Sequence, residues 1–419
     1  MHKKILSIMF GVAVALGVGS AASAGEMSVE EYLALVRSNN PTLQASYRNV
    51  EAFYHTVRGS VAYQRPGVGI NGDTSWFSDN AAQERGRYNV SVGVTHRFDV
   101  SGVYPAQERQ MKLQHNVLAA NHGVLVNRML SGAERLYWSS FIARENIALQ
   151  RSILAQRKED LRITEEKFRQ HIIPKLDVIR AEAKVQEASS LVVQAESGFK
   201  DTLTQLATLA GGETVIPRDE ALLVPDLSIQ AGVDEALRKR NDIRALEMAL
   251  EREKVLKTLA AKGMAPVVMG SAGYGLLGDS ERSLPYEDEF LLALSVSIPL
   301  YDGGKTKEDV AEKKKTIEAA EESLRAGQDQ VREDILTALT QWEASVAVEA
   351  NKRAQVARSN EELAITQLMY KEGLGAQIDL LNAQVDNQRV RTEHLNSIKE
   401  MHLALVSLKQ AMSAYEPAQ

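Results

Sequence analysis

The chain has 419 residues, 44% hydrophobic and 25% charged, with a formal net charge of −6 and no cysteine. That is the composition of a folded protein. The acidic balance, with no interleaving of basic and aromatic residues, argues against a nucleic-acid binder, and the missing cysteine excludes disulfides and N-terminal lipid attachment.

The N-terminus reads as a secretory signal peptide. His2, Lys3 and Lys4 are a basic region, Ile5 to Val18 is apolar, and Ala22-Ser23-Ala24 is a small-residue cleavage pattern. Cleavage after Ala24 removes two lysines and no acids, which takes the net charge from −6 to −8. No later apolar run is long enough to cross a bilayer as a helix. An exported chain of this kind resides in the periplasm, or in the outer membrane as part of a closed β-barrel.

Residues 28–64 read as helix, opened by a capping box between Ser28 and Glu31. Two alternating segments follow. Pro66–Phe77 places Val68, Ile70, Thr74 and Trp76 on one side, and Tyr88–Phe98 alternates Val90, Val92 and Val94 with Ser91, Gly93 and Thr95. Long helical patterns run from Pro105 to about Gln170 and over 174–210, joined by a tight turn at His171–Lys175. The return helix carries an apolar seam through Val178, Ala181, Val185, Ala188 and Val192, in steps of three and four.

The same order then recurs. Val233–Lys262 echoes the first helix, Pro266–Leu277 and Phe290–Leu300 echo the strands, and Lys305–Lys371 and Ala376–Met412 echo the long helices. Leu161, Ile163, Thr164 and Phe168 are answered 202 positions later by Leu363, Ile365, Thr366 and Tyr370. Such a fixed offset marks an internal duplication. The expected organisation is a signal peptide over 1–24, a first repeat over 25–210, a linker over 211–232, a second repeat over 233–412 and a tail over 413–419. Four strands are too few to close a barrel. A lipid-facing barrel with a wet lumen and a sheet packed on helices in a soluble protein both fit these strands; the export signal and the long helices favour the barrel, closed by several protomers.

The tip segment Tyr370-Lys371-Glu372-Gly373-Leu374-Gly375, followed by Ile378-Asp379-Leu380-Leu381, resembles that of the TolC family of outer-membrane efflux and secretion channels. The strand exit Pro299-Leu300-Tyr301-Asp302-Gly303-Gly304 resembles the family's barrel-to-helix junction, with Arg97-Phe98-Asp99-Val100-Ser101-Gly102 as its twin. The resemblance covers nearly the whole mature chain. It implies a mainly α, TolC-like fold with β: four strands per protomer in a trimeric 12-stranded barrel, continued by antiparallel coiled-coil helices as a periplasmic tunnel. It also implies a homotrimer in outer-membrane lipid, a periplasmic adaptor docked on the tips, and an inner-membrane pump reached through that adaptor. The sequence departs from the family at Asn382, where well-studied members carry a second acid, and at Ile173-Pro174, where a glycine turn is common.

Asp177 and Asp379 are the candidate pore constriction, since a ring of carboxylates favours cations; each is equally an acid stabilised at a helix N-terminus. The adaptor-docking candidates on the tips are Phe168, Ile172, Ile173, Tyr370, Gly373, Leu374 and Gly375. The spacing of His115, His122, His171, His394 and His402 does not form a metal site, and no grouping of catalytic residues or cofactor motif is present. The expected function is a passive export conduit of a tripartite efflux pump or type I secretion system. The rival reading is a non-conducting envelope tether or coiled-coil spacer, which has no use for strand hairpins with apolar faces.

Overall fold

The computed structural model describes residues 25–62, 64–78, 84–218, 237–279 and 287–415. The signal peptide, the linker from residue 219 on with the first residues of the second repeat (233–236), the strand loops 79–83 and 280–286, and the last residues of the tail lie outside them. The elements in chain order are β1 (Glu26–Met27), α1 (Val29–Asn39), α2 (Pro41–Ala62), β2 (Gly67–Ser78), β3 (Glu84–Phe98), α3 (Val103–Arg169), α4 (Lys175–Leu209), β4 (Ile216–Pro217), α5 (Asn241–Ala261), β5 (Val267–Asp279), β6 (Glu287–Ser297), α6 (Lys305–Lys371) and α7 (Gln377–Ala411).

The duplication is visible in the element bounds. α6 starts and ends 202 positions after α3, and α7 stands in the same relation to α4. α3 and α6 have 67 residues each, so each spans about 100 Å. α4 packs back along α3, and α7 along α6. The long helices end alike, each on a residue in the left-handed region. His171 (φ 60°) and Gly373 (φ 75°) close the outgoing helices; Gly211 (φ 76°) and Ser413 (φ 56°) close the returning ones. At each end the next residue donates its N–H back to the third-last helical carbonyl: Ile172 to Lys167, Leu374 to Met369, Gly212 to Ala207 and Ala414 to Lys409. These are Schellman closures, which satisfy carbonyls the helix leaves open.

The first tip therefore does turn at the position of the second tip's glycine. The occupant is His171, just ahead of Ile173-Pro174. The segment read as one helix over 28–64 is two, because the chain breaks at Asn40 (ψ 120°). Pro41 disfavours helical geometry in the residue before it, and the Asn40 side chain accepts from the N–H groups of Thr42 and Leu43 at 3.0 and 3.2 Å to start α2. The second copy breaks at the equivalent place, Arg240, without a proline. The capping box forms as read, with Ser28 and Glu31 bonded reciprocally at 2.8 and 3.2 Å.

The sheet has the order β2-β3-β5-β6, antiparallel throughout. The two hairpins thus join through β3 and β5, with Gly93 opposite Gly273. β6 ends at Ser297, short of the expected Leu300; Pro299, just beyond, has no N–H to continue a ladder. Both exits start their helices with an aspartate, but not at the same register. Asp99 accepts from the backbone of Ser101, Val103 and Tyr104, and Asp302 from Gly304 and Thr306. Each aspartate accepts from the residues two and four further on, so a one-residue slip between copies leaves the same cap.

The main core lies midway along the helices. Tyr32 and Val36 of α1, Leu130, Tyr137, Trp138 and Phe141 of α3, Leu206 of α4 and Val406 of α7 bury one another there, beside the short β1–β4 pair. Aromatics carry much of this core, and they tie the first and second repeats together.

Candidate functional site

Three regions form one axis: the sheet, the waist around the core, and the helical tips. On the sheet, alternation sorts the residues into two faces. One face holds Val68 and Ile70 of β2, Val90, Val92 and Val94 of β3, Tyr274 and Leu276 of β5, and Phe290, Leu292, Leu294 and Val296 of β6. Val68, Ile70, Leu292 and Leu294 are 74, 76, 75 and 71% exposed. The other face is mainly small and polar, with Asn71, Ser91, Gly93, Ser271, Gly273 and Ser295, and includes the larger Met269 and Leu291. Water would not tolerate a bare apolar face of this extent, whereas lipid would, and the small polar face suits a wet lumen. A sheet of this kind packed on helices is excluded, since no described helix covers the apolar side.

At the tips the candidate residues separate by environment. Ile172 and Leu374 occupy the equivalent position after each left-handed residue and project outward, 63 and 78% exposed. Phe168 is partly exposed and Ile173 half-buried. Gly373 makes the turn, and the Gly375 N–H returns to the carbonyl of Met369 at 3.2 Å. Tyr370 is different: it is 6% exposed and packs on Leu363, Leu380, Ala383 and Ile163. Burial pushes its phenol above the ordinary value. It braces the tip from within and presents no surface.

Asp177 and Asp379 both lie in the first turn of a helix, α4 and α7. Asp177 is largely buried, with Arg180 at 3.6 Å; Asp379 is exposed. The two tips meet close by, where the Gln377 side chain donates to the Asp177 carbonyl at 3.3 Å.

Sequence reasoning missed the tie between the repeats at this end. Arg157 of α3 donates to the Gln384 side-chain oxygen, and the Gln384 amide donates to Asp160. Arg157 and Gln384 are buried. Burial raises the Asp160 carboxyl against the opposing pull of Gln384 and Arg157, and burial lowers the Arg157 guanidinium. A little further on, Lys167 sits 3.8 Å from the centre of the Tyr370 ring and donates to the Tyr370 carbonyl. The only sequence signal was a polar residue, Gln384, on the seam side of a helix.

A second missed cluster lies at the waist. Glu134 is 1% exposed. It accepts from Lys409 at 2.8 Å, Tyr415 at 2.6 Å and the Trp138 indole at 3.4 Å. His402 stacks on Trp138 with ring centroids 3.8 Å apart. The predicted histidines stay apart: His122 faces Ser46, His394 faces Glu349 and His171 makes a turn.

An apolar-faced sheet continued by two helical hairpins, whose outgoing helices span about 100 Å, defines a membrane-anchored channel protein of the barrel-and-tunnel class. The sequence model of the outer membrane efflux protein family matches residues 33–212 and 232–414, and the chain belongs to that family. It is an outer-membrane efflux channel with a periplasmic tunnel. Among curated relatives, the outer membrane efflux protein BepC of Brucella suis biovar 1 (strain 1330) is 25% identical over 96% of this chain and 89% of its own. The outer membrane protein TolC of Vibrio cholerae is 21% identical over 98% and 95%. Among solved structures, the Neisseria gonorrhoeae MtrE outer membrane channel in its open state superposes with a TM-score of 0.79 at 20% identity, covering 95% of this chain and 93% of that one. The Campylobacter jejuni CmeC outer membrane channel gives 0.81 at 15% identity, covering 99% and 94%.

Proposed function

We propose that the protein works as a homotrimer, a passive conduit that receives cargo from a periplasmic adaptor and an inner-membrane pump and releases it outside the cell. The uncovered apolar face of the four-stranded sheet carries this reading, because four strands close no barrel and three copies supply twelve. The helical hairpins of the same chains extend that barrel as a tunnel.

The tips are the adaptor-docking end in this reading. Ile172 and Leu374 offer the apolar contacts, Phe168 and Ile173 widen them, the open turn at Gly373 leaves room for a partner's backbone, and Gly375 lets the chain close against Met369. Tyr370 supports the docking surface from inside. Asp177 and Asp379 supply up to six carboxylates near the tunnel mouth, a field that favours cations.

Planar-bilayer recording of the purified protein tests the conduit: discrete conductance steps are expected, and a stably inserted trimer that never conducts would sink it. Adaptor docking is tested separately. Leu374→Asp should abolish co-purification with the cognate adaptor while leaving conductance in place.

A further inference from the structure

The two repeats pack on each other inside one chain, and that contact is a template for the contact between chains. α5 is flanked by α3 on one side and by the start of α6 on the other. Its counterpart α2 packs along α3 but has no such helix on its other flank among the described residues. β2 and β6 are likewise the outer strands of the sheet. The first half of α6 and the free side of α2 are therefore the two halves of one missing contact.

The register of that contact can be read from its copy. Lys262 after α5 donates to the carbonyl of Gly102 before α3 at 2.6 Å. At the other end, Gly123 leaves space that the Asn241 side chain takes up. So α3 and α5 run antiparallel, one numbered position for one. Carrying α3 forward by 202 onto α6, and α5 back by 200 onto α2, brings Gly304 opposite Ala62 and Arg325 opposite Pro41. Between those ends the permanent charges of α2 are Arg48, Glu51 and Arg58. In this register they meet Glu318, Lys315 and Glu308, so each meets the opposite sign.

We infer that these three pairs, Arg48–Glu318, Glu51–Lys315 and Arg58–Glu308, form between neighbouring copies and set the register in which the protomers assemble. Within one chain Arg48 and Glu51 are 2.6 Å apart with 72 and 44% of their side chains exposed. Lys315 and Glu318 are 2.7 Å apart with 79 and 60% exposed. Two locally paired dipoles of opposite direction on antiparallel helices make a complementary quartet. Exposed ion pairs contribute little stability by themselves, so their effect is on choice of partner and register. A slip of one turn in either direction sets Glu51 against Glu318 or against Glu312.

The inference rests on the homotrimer reading and is tested apart from it. The chain has no cysteine, so every crosslink reports introduced ones. Glu51→Cys combined with Lys315→Cys should give covalent dimers and trimers on oxidation in outer-membrane vesicles. Glu51→Cys with Glu322→Cys, two turns out of register, should not. Arg48→Glu with Glu51→Arg should lower the temperature at which the detergent-solubilised trimer dissociates, and adding Lys315→Glu with Glu318→Lys should restore it. A protein that light scattering shows to be trimeric, but that fails to crosslink at 51 and 315 or gains nothing from the fourfold reversal, overturns the proposed register. A wild-type protein that is monomeric by light scattering overturns the trimer reading itself.

Discussion

His402 is held neutral by its surroundings. It is 3% exposed and stacked on Trp138, and burial pushes its imidazole down to about 4, with Lys409 pushing the same way and Glu134 opposing. A histidine with a folded pKa below its unfolded one contributes stability that is complete above pH 6.5 and is lost as pH falls through about 4. The contribution is on the order of 3 kcal/mol. The melting temperature of the wild type should therefore fall between pH 6.5 and 4 more steeply than that of His402→Leu; parallel curves would refute this account. At the tips, His171 sits in the left-handed region that glycine takes without strain. His171→Gly should stabilise the first tip by roughly 1 kcal/mol and Gly373→Ala should destabilise the second by a similar amount. Hydrogen exchange of the amides over 168–176 and 370–378 reports both. The sequence places a turn at His171–Lys175 but does not mark His171 as its left-handed residue, because a histidine stands there by register with its copy and against its own preference.

At the level of elements, the long helices are held in pairs by seams and across the repeats by a few polar ties. The seam was legible, since steps of three and four residues set Ala181, Ala188, Val192 and their neighbours on one face. The tie through Arg157, Gln384 and Asp160 was not, because its partners are 224 to 227 residues apart. Gln384→Leu leaves the buried Arg157 and the partly buried Asp160 without their shared partner, at a cost of about 1–3 kcal/mol. Exchange at amides near 157–164 and 380–388 should accelerate while the waist stays protected. Unchanged protection at both segments would show that the tie is not what holds α3 to α7. The break at Asn40 is the reverse case: Pro41 disfavours helix in the residue before it, but the apolar pattern on either side reads as one helix.

At the scale of the whole molecule, the duplication turns one chain into two staves, and the proposed trimer would then approximate sixfold symmetry. The copies are not identical. Asp177 is shielded and near Arg180, whereas Asp379 is exposed, so the two carboxylate positions should contribute unequally to selectivity. Asp379→Asn should reduce the cation-to-anion permeability ratio more than Asp177→Asn does, measured as the shift in reversal potential under a salt gradient. Equal shifts, or none, would remove these residues from the tunnel mouth.

The sequence by itself determined the repeat, the order and type of the long helices and the four long strands, the two faces of those strands and the turns between the helices. All of these are short-range or periodic, and a period is written directly in the chain. Tertiary structure alone decided the joining of the hairpins through β3 and β5, the aromatic waist, and the meeting of Glu134 with Lys409 and Tyr415, 275 and 281 residues away. A buried carboxylate has to find its donors wherever packing brings them, and packing is a property of distant surfaces that no local pattern records.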